Sequence, residues 1–246
     1  MSKGNGPYML RSLFVWVVFG VLNTFMWILV GIFLSLFSAS SRTIHFYCAV
    51  PWAKIILSGT GVQVEISGLS NIDKEKSHIY IPNHLSFFDI FSLLAYLSVD
   101  FKFILKEELM HIPVLGWSMR RAGYISIDRS SPAKARRTLR QAVERIRTGT
   151  SLVMFAEGTR SSDGHLQPLK RGAFQLAIAS GSPIIPVAIR GTKEVMPKGS
   201  FKLQKGSVTI QVGTPIETIN YTKKTMPDLI RRVTMALRAM LEEERL

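Results

Sequence analysis

The sequence predicts an α/β protein: a layered mixed sheet of about seven strands flanked by helices, preceded by an N-terminal membrane helix or two-helix hairpin. Three observations predict it. Seven short runs rich in β-branched and aromatic residues follow Gly61, segments with helical periodicity lie between several of them, and a long uncharged apolar stretch comes before them all. Composition thus divides the chain into an anchoring segment, residues 1–60, and a globular body, residues 61–246, long enough to bury a sizeable core.

The anchor comes first. Between Ser12 and Phe37 there is no charged residue, and only Ser12, Asn23, Thr24 and Ser35 are polar. About 20 apolar residues cross a bilayer core, so this stretch is long enough with some tilt, and it exceeds the apolar run of a secretory signal. Trp16 and Trp27 are suited to the interfaces. A second apolar stretch, Phe46 to Leu57, follows Arg42 and His45; it is too short to span and contains Pro51 and Lys54. Two arrangements are open: a hairpin whose second arm returns along the interface, or one span followed by a water-borne domain.

The body then alternates strands with helices. Strands are expected at Val62–Ser67, His78–Pro82, Phe101–Leu105, Tyr124–Ile127, Ser151–Ala156, Ile184–Arg190 and Ser207–Val212. In Pro132–Thr148, Leu139, Ala142, Val143 and Ile146 form one apolar stripe, while Lys134, Arg136, Arg137, Arg140, Arg145 and Arg147 lie opposite, on a solvated or membrane-facing surface. Gly172–Gly181 reads as a short helix between two buried strands. A last helix starts at Thr225, with Thr225 and Asp228 spaced as a capping box and Leu229, Val233, Leu237 and Leu241 as its core stripe.

Charge narrows the partners. Lys and Arg number 31 against 17 Asp and Glu, a net charge of +14 that favours polyanions. Charge alone does not separate nucleic acid from anionic phospholipid; the apolar N-terminus selects lipid, with no nucleic acid as partner. The single cysteine, Cys48, allows no internal disulfide, and its apolar neighbours mark a buried or lipid-facing thiol. The five histidines show no metal-ligand spacing, so no metal site is expected.

Chemistry concentrates where the second strand ends, in Ile81-Pro82-Asn83-His84-Leu85-Ser86-Phe87-Phe88-Asp89. On a helix His84 and Asp89 would stand roughly 140° apart. They meet if His84 is on the loop and Asp89 in the first helical turn, a placement that the Ser86–Asp89 capping-box spacing supports. Imidazole titrates near neutrality, and a carboxylate fixes its tautomer, so the pair suits general-base catalysis. The alternative is a helix-capping Asp near an unrelated His.

Three further segments follow: Lys106 through Gly116, Phe155-Ala156-Glu157-Gly158-Thr159-Arg160-Ser161, and Ile184-Ile185-Pro186-Val187-Ala188. In the middle one Gly158 permits close backbone approach, Thr159 and Ser161 supply hydroxyls, and Arg160 offers a planar fork matched to phosphate oxygens. Lys170 and Arg171 add positive potential. The four segments, in this order, resemble the 1-acyl-sn-glycerol-3-phosphate acyltransferase family of the glycerolipid acyltransferase superfamily, and the likeness in layout extends across nearly the whole chain.

The resemblance implies a glycerolphosphate acyltransferase-like fold and a membrane-bound transferase of phospholipid biosynthesis that makes phosphatidic acid. It makes His84 the general base and Asp89 its partner. Glu157, Gly158 and Arg160 become substrate-binding residues, joined by Thr159 through its hydroxyl in the same turn, with Lys106 and the Pro113–Gly116 turn beside the acceptor and Pro186 toward the acyl side. Ala156 departs from the proline of many members, which touches loop stiffness more than chemistry. It implies an acyl-CoA or acyl carrier protein thioester as co-substrate, no bound cofactor, and no acyl-enzyme. The expected partners are lysophosphatidic acid and anionic phospholipids, at the cell inner membrane or another cytoplasm-facing membrane with the catalytic domain on the cytoplasmic face. A related acyltransferase acting on glycerol 3-phosphate or an amino-lipid, and a non-enzymatic membrane-tethered lipid-binding module, are the competing readings.

Overall fold

The computed structural model describes residues 5–37, 39–127 and 131–242. Asp128 and Arg129, which follow the expected strand Tyr124–Ile127, and the side chain of Lys134 lie outside the described residues.

The apolar N-terminus forms one continuous helical rod. Helix α1 (Asn5–Val15) passes through a π-helical stretch, Trp16–Leu22, into α2 (Asn23–Leu36). The hydroxyls of Thr24 and Ser35 donate back to Gly20 O and Gly31 O, so neither is left unpaired in apolar surroundings. The second arm begins before the apolar run that announces it. Ser40 caps α3 (Ser41–Ile44), its hydroxyl accepting Thr43 N–H at 3.1 Å, and a π-helical stretch, His45–Ala49, leads into α4 (Val50–Thr60). Pro51 sits in the first turn of α4, where its missing N–H removes no helical bond.

Met9–Leu36, 28 residues whose most apolar 18-residue window has a mean hydropathy of 2.3, is long and apolar enough to cross a membrane. Phe14, Val21, Phe25, Leu29 and Phe33 are exposed along it. Its other side is held by the rest of the protein from end to end. Arg11 donates to Leu203 O at 3.0 Å and to Thr60 O, and Trp16 Nε1 to Phe201 O at 2.9 Å. Midway, Asn23 bonds Trp52 O and the Trp52 indole bonds Thr24; at the far end Arg121 Nε donates to Ser35 Oγ at 3.2 Å. Arg11 and Ser35 are about 36 Å apart at 1.5 Å per residue.

Seven strands follow: β1 (Val62–Ser67), β2 (Ile79–Pro82), β3 (Phe101–Lys106), β4 (Ile125–Ile127), β5 (Ser151–Val153), β6 (Ile184–Arg190) and β7 (Gly206–Val212). Their order is β1-β7-β6-β2-β5-β3-β4, with neighbours parallel except for β6 and β7, so the predicted mixed sheet is present. β5 stops at Val153, short of the predicted Ala156: the chain turns there, Gly158 N–H donating to Phe155 O at 3.0 Å with Gly158 at φ 76°. Phe155 and Ala156 are apolar because they pack, not because they extend.

Helices α5 (Phe88–Tyr96), α6 (Leu115–Arg121), α7 (Pro132–Arg147), α8 (Arg171–Ser180), α9 (Thr192–Val195) and α10 (Met226–Glu242) complete the chain. One core layer joins α4 and α5 to the sheet through Ala53, Leu57, Leu93 and Val187; the other buries Ile146, Phe174, Val233 and Leu237 under α7, α8 and α10. The anchor's second arm therefore shares the body's core, and the compositional break at residue 60 is not a break in packing. The Thr225–Asp228 capping box does not form. The Thr225 hydroxyl accepts Thr222 N–H at 2.9 Å and the Asp228 carboxylate pairs with Arg231, so a local hydroxyl turn takes the group that the box needs.

Because β2, β3, β5 and β6 run in one direction, their carboxyl ends share one edge, where open α/β sheets bind ligands.

Candidate active site

Asn83 anchors the loop that leaves β2. Its side-chain amide donates to Ile189 O at 2.9 Å and its carbonyl accepts Ile189 N–H at 2.7 Å, continuing the bonding to β6 with a side chain after the strand has ended. The His84 backbone is fixed next: its N–H donates to Glu157 Oε1 at 2.6 Å and its carbonyl accepts Ser161 N–H at 2.8 Å. The loop after β5 thus clamps the loop after β2.

The His84 ring meets Asp89 as the spacing requires, His84 on the loop and Asp89 in the first turn of α5. Nδ1–H donates to Asp89 Oδ2 at 2.7 Å, and the ring stacks on Phe155 with centroids 3.9 Å apart. Asp89 is wholly buried; Oδ2 also accepts Leu85 N–H and Ser86 N–H, and Oδ1 accepts the Thr192 hydroxyl. Half of the expected capping box is therefore present. Its other half is displaced, since Ser86 Oγ accepts Phe88 N–H and donates to Met196 O. With Nδ1 bound to a carboxylate, the proton sits there and Nε2 carries the lone pair. The imidazole is 14% exposed. An imidazole held in this way can act as a base through Nε2.

Glu157 lies beneath that base, 2% exposed, Oε1 on His84 N–H and Oε2 on Gln167 N–H at 2.8 Å. Burial pushes its carboxyl up to about 7, against the two backbone N–H bonds that favour the charged form. A raised carboxyl stabilises the fold fully at pH below its ordinary value, and that contribution disappears as pH rises through about 7. Glu157→Gln is expected to flatten the loss of Tm between pH 5 and 8. It should also cost about 1–3 kcal/mol, because the new amide NH₂ faces one of the two N–H donors. Melting curves across that range check both; an unchanged slope would remove Glu157 as its source.

Arg160 is brought to the same loop. Its guanidinium lies over the Phe87 ring, 4.1 Å from the centroid, and Phe87 stands three residues after His84. Lys198 Nζ donates to Arg160 O at 2.8 Å and lies 3.5 Å from Thr159 Oγ1, and a Cβ on Gly158 would come within 2.7 Å of Lys170 Nζ. Glycine at 158 therefore lets a lysine close over the turn. Arg160, Lys170 and Lys198 gather positive charge around the turn after β5.

Lys106 ends β3. Phe103 and Tyr80 both pair with Val153, so Lys106 is level with Asn83 and two strands away, roughly 10 Å. It is exposed on the same edge. Pro186 is buried in β6 opposite Ile81. Phe155, Thr192 and Lys198 went unread in the sequence, although Phe155 opens the quoted Glu157 segment. Among the described residues no three His, Cys, Asp or Glu side chains converge as a metal site.

A family model described as Acyltransferase matches residues 63–190. The chain is 36% identical over 212 residues to a chloroplastic 1-acyl-sn-glycerol-3-phosphate acyltransferase of Arabidopsis thaliana, covering 84% of this chain and 59% of that protein. A chloroplastic enzyme of the same name from Brassica napus is 37% identical over 75% of this chain and 54% of its own length. The chain thus spans a little over half the length of these two relatives. The crystal structure of the 1-acyl-sn-glycerophosphate acyltransferase of Thermotoga maritima superposes with a TM-score of 0.83 at 26% identity, covering 97% of this chain and 96% of that one.

Proposed function

The chain belongs to the acyltransferase family, and from that premise we propose that it transfers a fatty acyl group from a thioester to the sn-2 hydroxyl of 1-acyl-glycerol 3-phosphate, forming phosphatidic acid. The observation that carries this reading is the His84–Asp89 pair, on a loop whose Phe87 ring carries the Arg160 guanidinium. The names of the relatives support the choice of acceptor.

In the proposed reaction His84 Nε2 removes the hydroxyl proton as the acceptor oxygen attacks the thioester carbonyl. The new C–O bond forms, the C–S bond breaks, and the departing thiolate takes the proton back from the imidazolium. Asp89 stabilises that cation and forms no bond to substrate. The acceptor alcohol is itself the nucleophile, so no acyl-enzyme intervenes. Arg160, with Lys170 and Lys198, holds the phosphate. Coenzyme A or acyl carrier protein supplies the thioester from water, which places the body at the cytoplasmic face of the cell inner membrane or an equivalent membrane. The hold of the body on both ends of the first helix favours a hairpin lying along one face over a span.

Purified protein given lysophosphatidate and a set of thioesters is expected to release free thiol and form phosphatidic acid, with glycerol 3-phosphate a poor competitor. Lipid binding without thiol release would sink the proposal. Arg160→Lys keeps the charge but loses the bidentate fork; acceptor KM should rise about 10-fold or more, as for a lost charge-assisted hydrogen bond. An unchanged KM would take Arg160 away from the phosphate.

A further inference from the structure

From the end of β3 into the first turn of α6 the chain exposes apolar side chains that neither core layer covers: Leu109 is 38% exposed, Ile112 43%, Val114 51% and Trp117 41%. Val114 has φ 65° and ψ −52°, and Leu115 N–H donates across it to Pro113 O at 2.7 Å. This is a γ-turn of the rare positive-φ kind, an outlier conformation for a β-branched residue.

The loop is closed on itself. Gly116 N–H donates to Ile112 O at 2.8 Å and Arg120 to Met110 O at 2.7 Å, and a Cβ on Gly116 would lie 2.0 Å from Met110 O. A strained, braced turn that holds valine in the open opposes what water favours, and such strain points to a role outside folding.

The position of the turn identifies the occupant. Leu115, Trp117 and Arg121 share one apolar cavity with Trp27, Ile28 and Gly31 of α2, and Arg121 reaches Ser35. The exposed residues thus lie alongside the C-terminal half of the first helix. Arg120 and Arg121 are exposed at this end, where they suit anionic headgroups. At the opposite end Phe201, 80% exposed, packs edge-on to Trp16.

We propose that Leu109–Trp117 is a second membrane-inserted element, seated in an anionic lipid surface beside the first helix, so that Lys106 and the His84 loop stand at headgroup level. The proposal rests on the first helix lying along the membrane and is independent of the acyl-transfer reading.

In a Cys48→Ala background, an environment-sensitive fluorophore is attached at Ile112→Cys, at Trp117→Cys, at Val21→Cys on the outer face of the first helix, and at Met235→Cys on α10. Each protein is mixed with phosphatidylcholine–phosphatidylglycerol vesicles with and without nitroxide-labelled lipid. Labels at 112 and 117 should shift to the blue and lose most of their emission, as at 21, while 235 stays unquenched. Unquenched labels at 112 and 117 beside a quenched label at 21 overturn the insertion and leave the first helix on the membrane. An unquenched label at 21 overturns both. Protection of 112 and 117 without lipid, with a dimer mass, overturns the proposal in favour of a second copy of the chain.

Discussion

Alanine at position 84 is expected to lower turnover by about 10² to 10⁴-fold, the usual contribution of a positioned general base, with little change in melting temperature. The loop does not depend on the ring for its path. Glu157 and Ser161 hold the backbone of residue 84, and Asn83 ties the loop to β6. Removal of the imidazole leaves Asp89 with Leu85 N–H, Ser86 N–H and the Thr192 hydroxyl, so the buried carboxylate keeps partners. The loss should therefore fall on the chemical step, with acceptor KM close to that of the parent. Single-turnover thiol release checks it; undiminished turnover in a folded His84→Ala protein would end the general-base role.

Asp89→Asn is the second large effect, and its fit can be followed atom by atom. The asparagine carbonyl can occupy the place of Oδ2 and accept from His84, Leu85 and Ser86, while the NH₂ group donates to a Thr192 hydroxyl that has rotated to accept. Geometry and tautomer survive; the negative charge that stabilises the imidazolium does not. Turnover should again drop by about 10² to 10⁴-fold. Since Asp89 acts through the ring, the double variant with His84→Ala should be scarcely slower than His84→Ala alone. Full additivity would show that Asp89 acts on the reaction by another route. Asp89→Ala, by contrast, strips buried donors of their acceptor at about 1–3 kcal/mol each and should unfold more readily.

What the sequence disclosed follows the range of the interactions involved. The strands were legible because each is a short apolar run bounded by turns. The His84–Asp89 contact was legible because it closes within five residues and Ser86 marks the helix start. Glu157 was legible as a motif position, and the structure turns both its carboxylate oxygens toward backbone donors at His84 and Gln167. The Thr192 bond to Asp89 crosses 103 residues, and Lys198 reaches the Arg160 carbonyl across 38, so no local pattern announces either. The second arm of the anchor was read from its apolar core at Phe46, while the helix starts at Ser41 because a serine cap, invisible to hydropathy, extends it.

The first helix is gripped near its start, where Arg11 meets Thr60 and Leu203, and near its end, where Arg121 meets Ser35. On the proposed hairpin, a rod fastened to the folded body at two distant points keeps both of those points on one side of the membrane. On the proposed activity, every lipid made would enlarge only the half of the bilayer that supplied its precursor. The opposite half would then grow only as fast as some other agent carries lipid across.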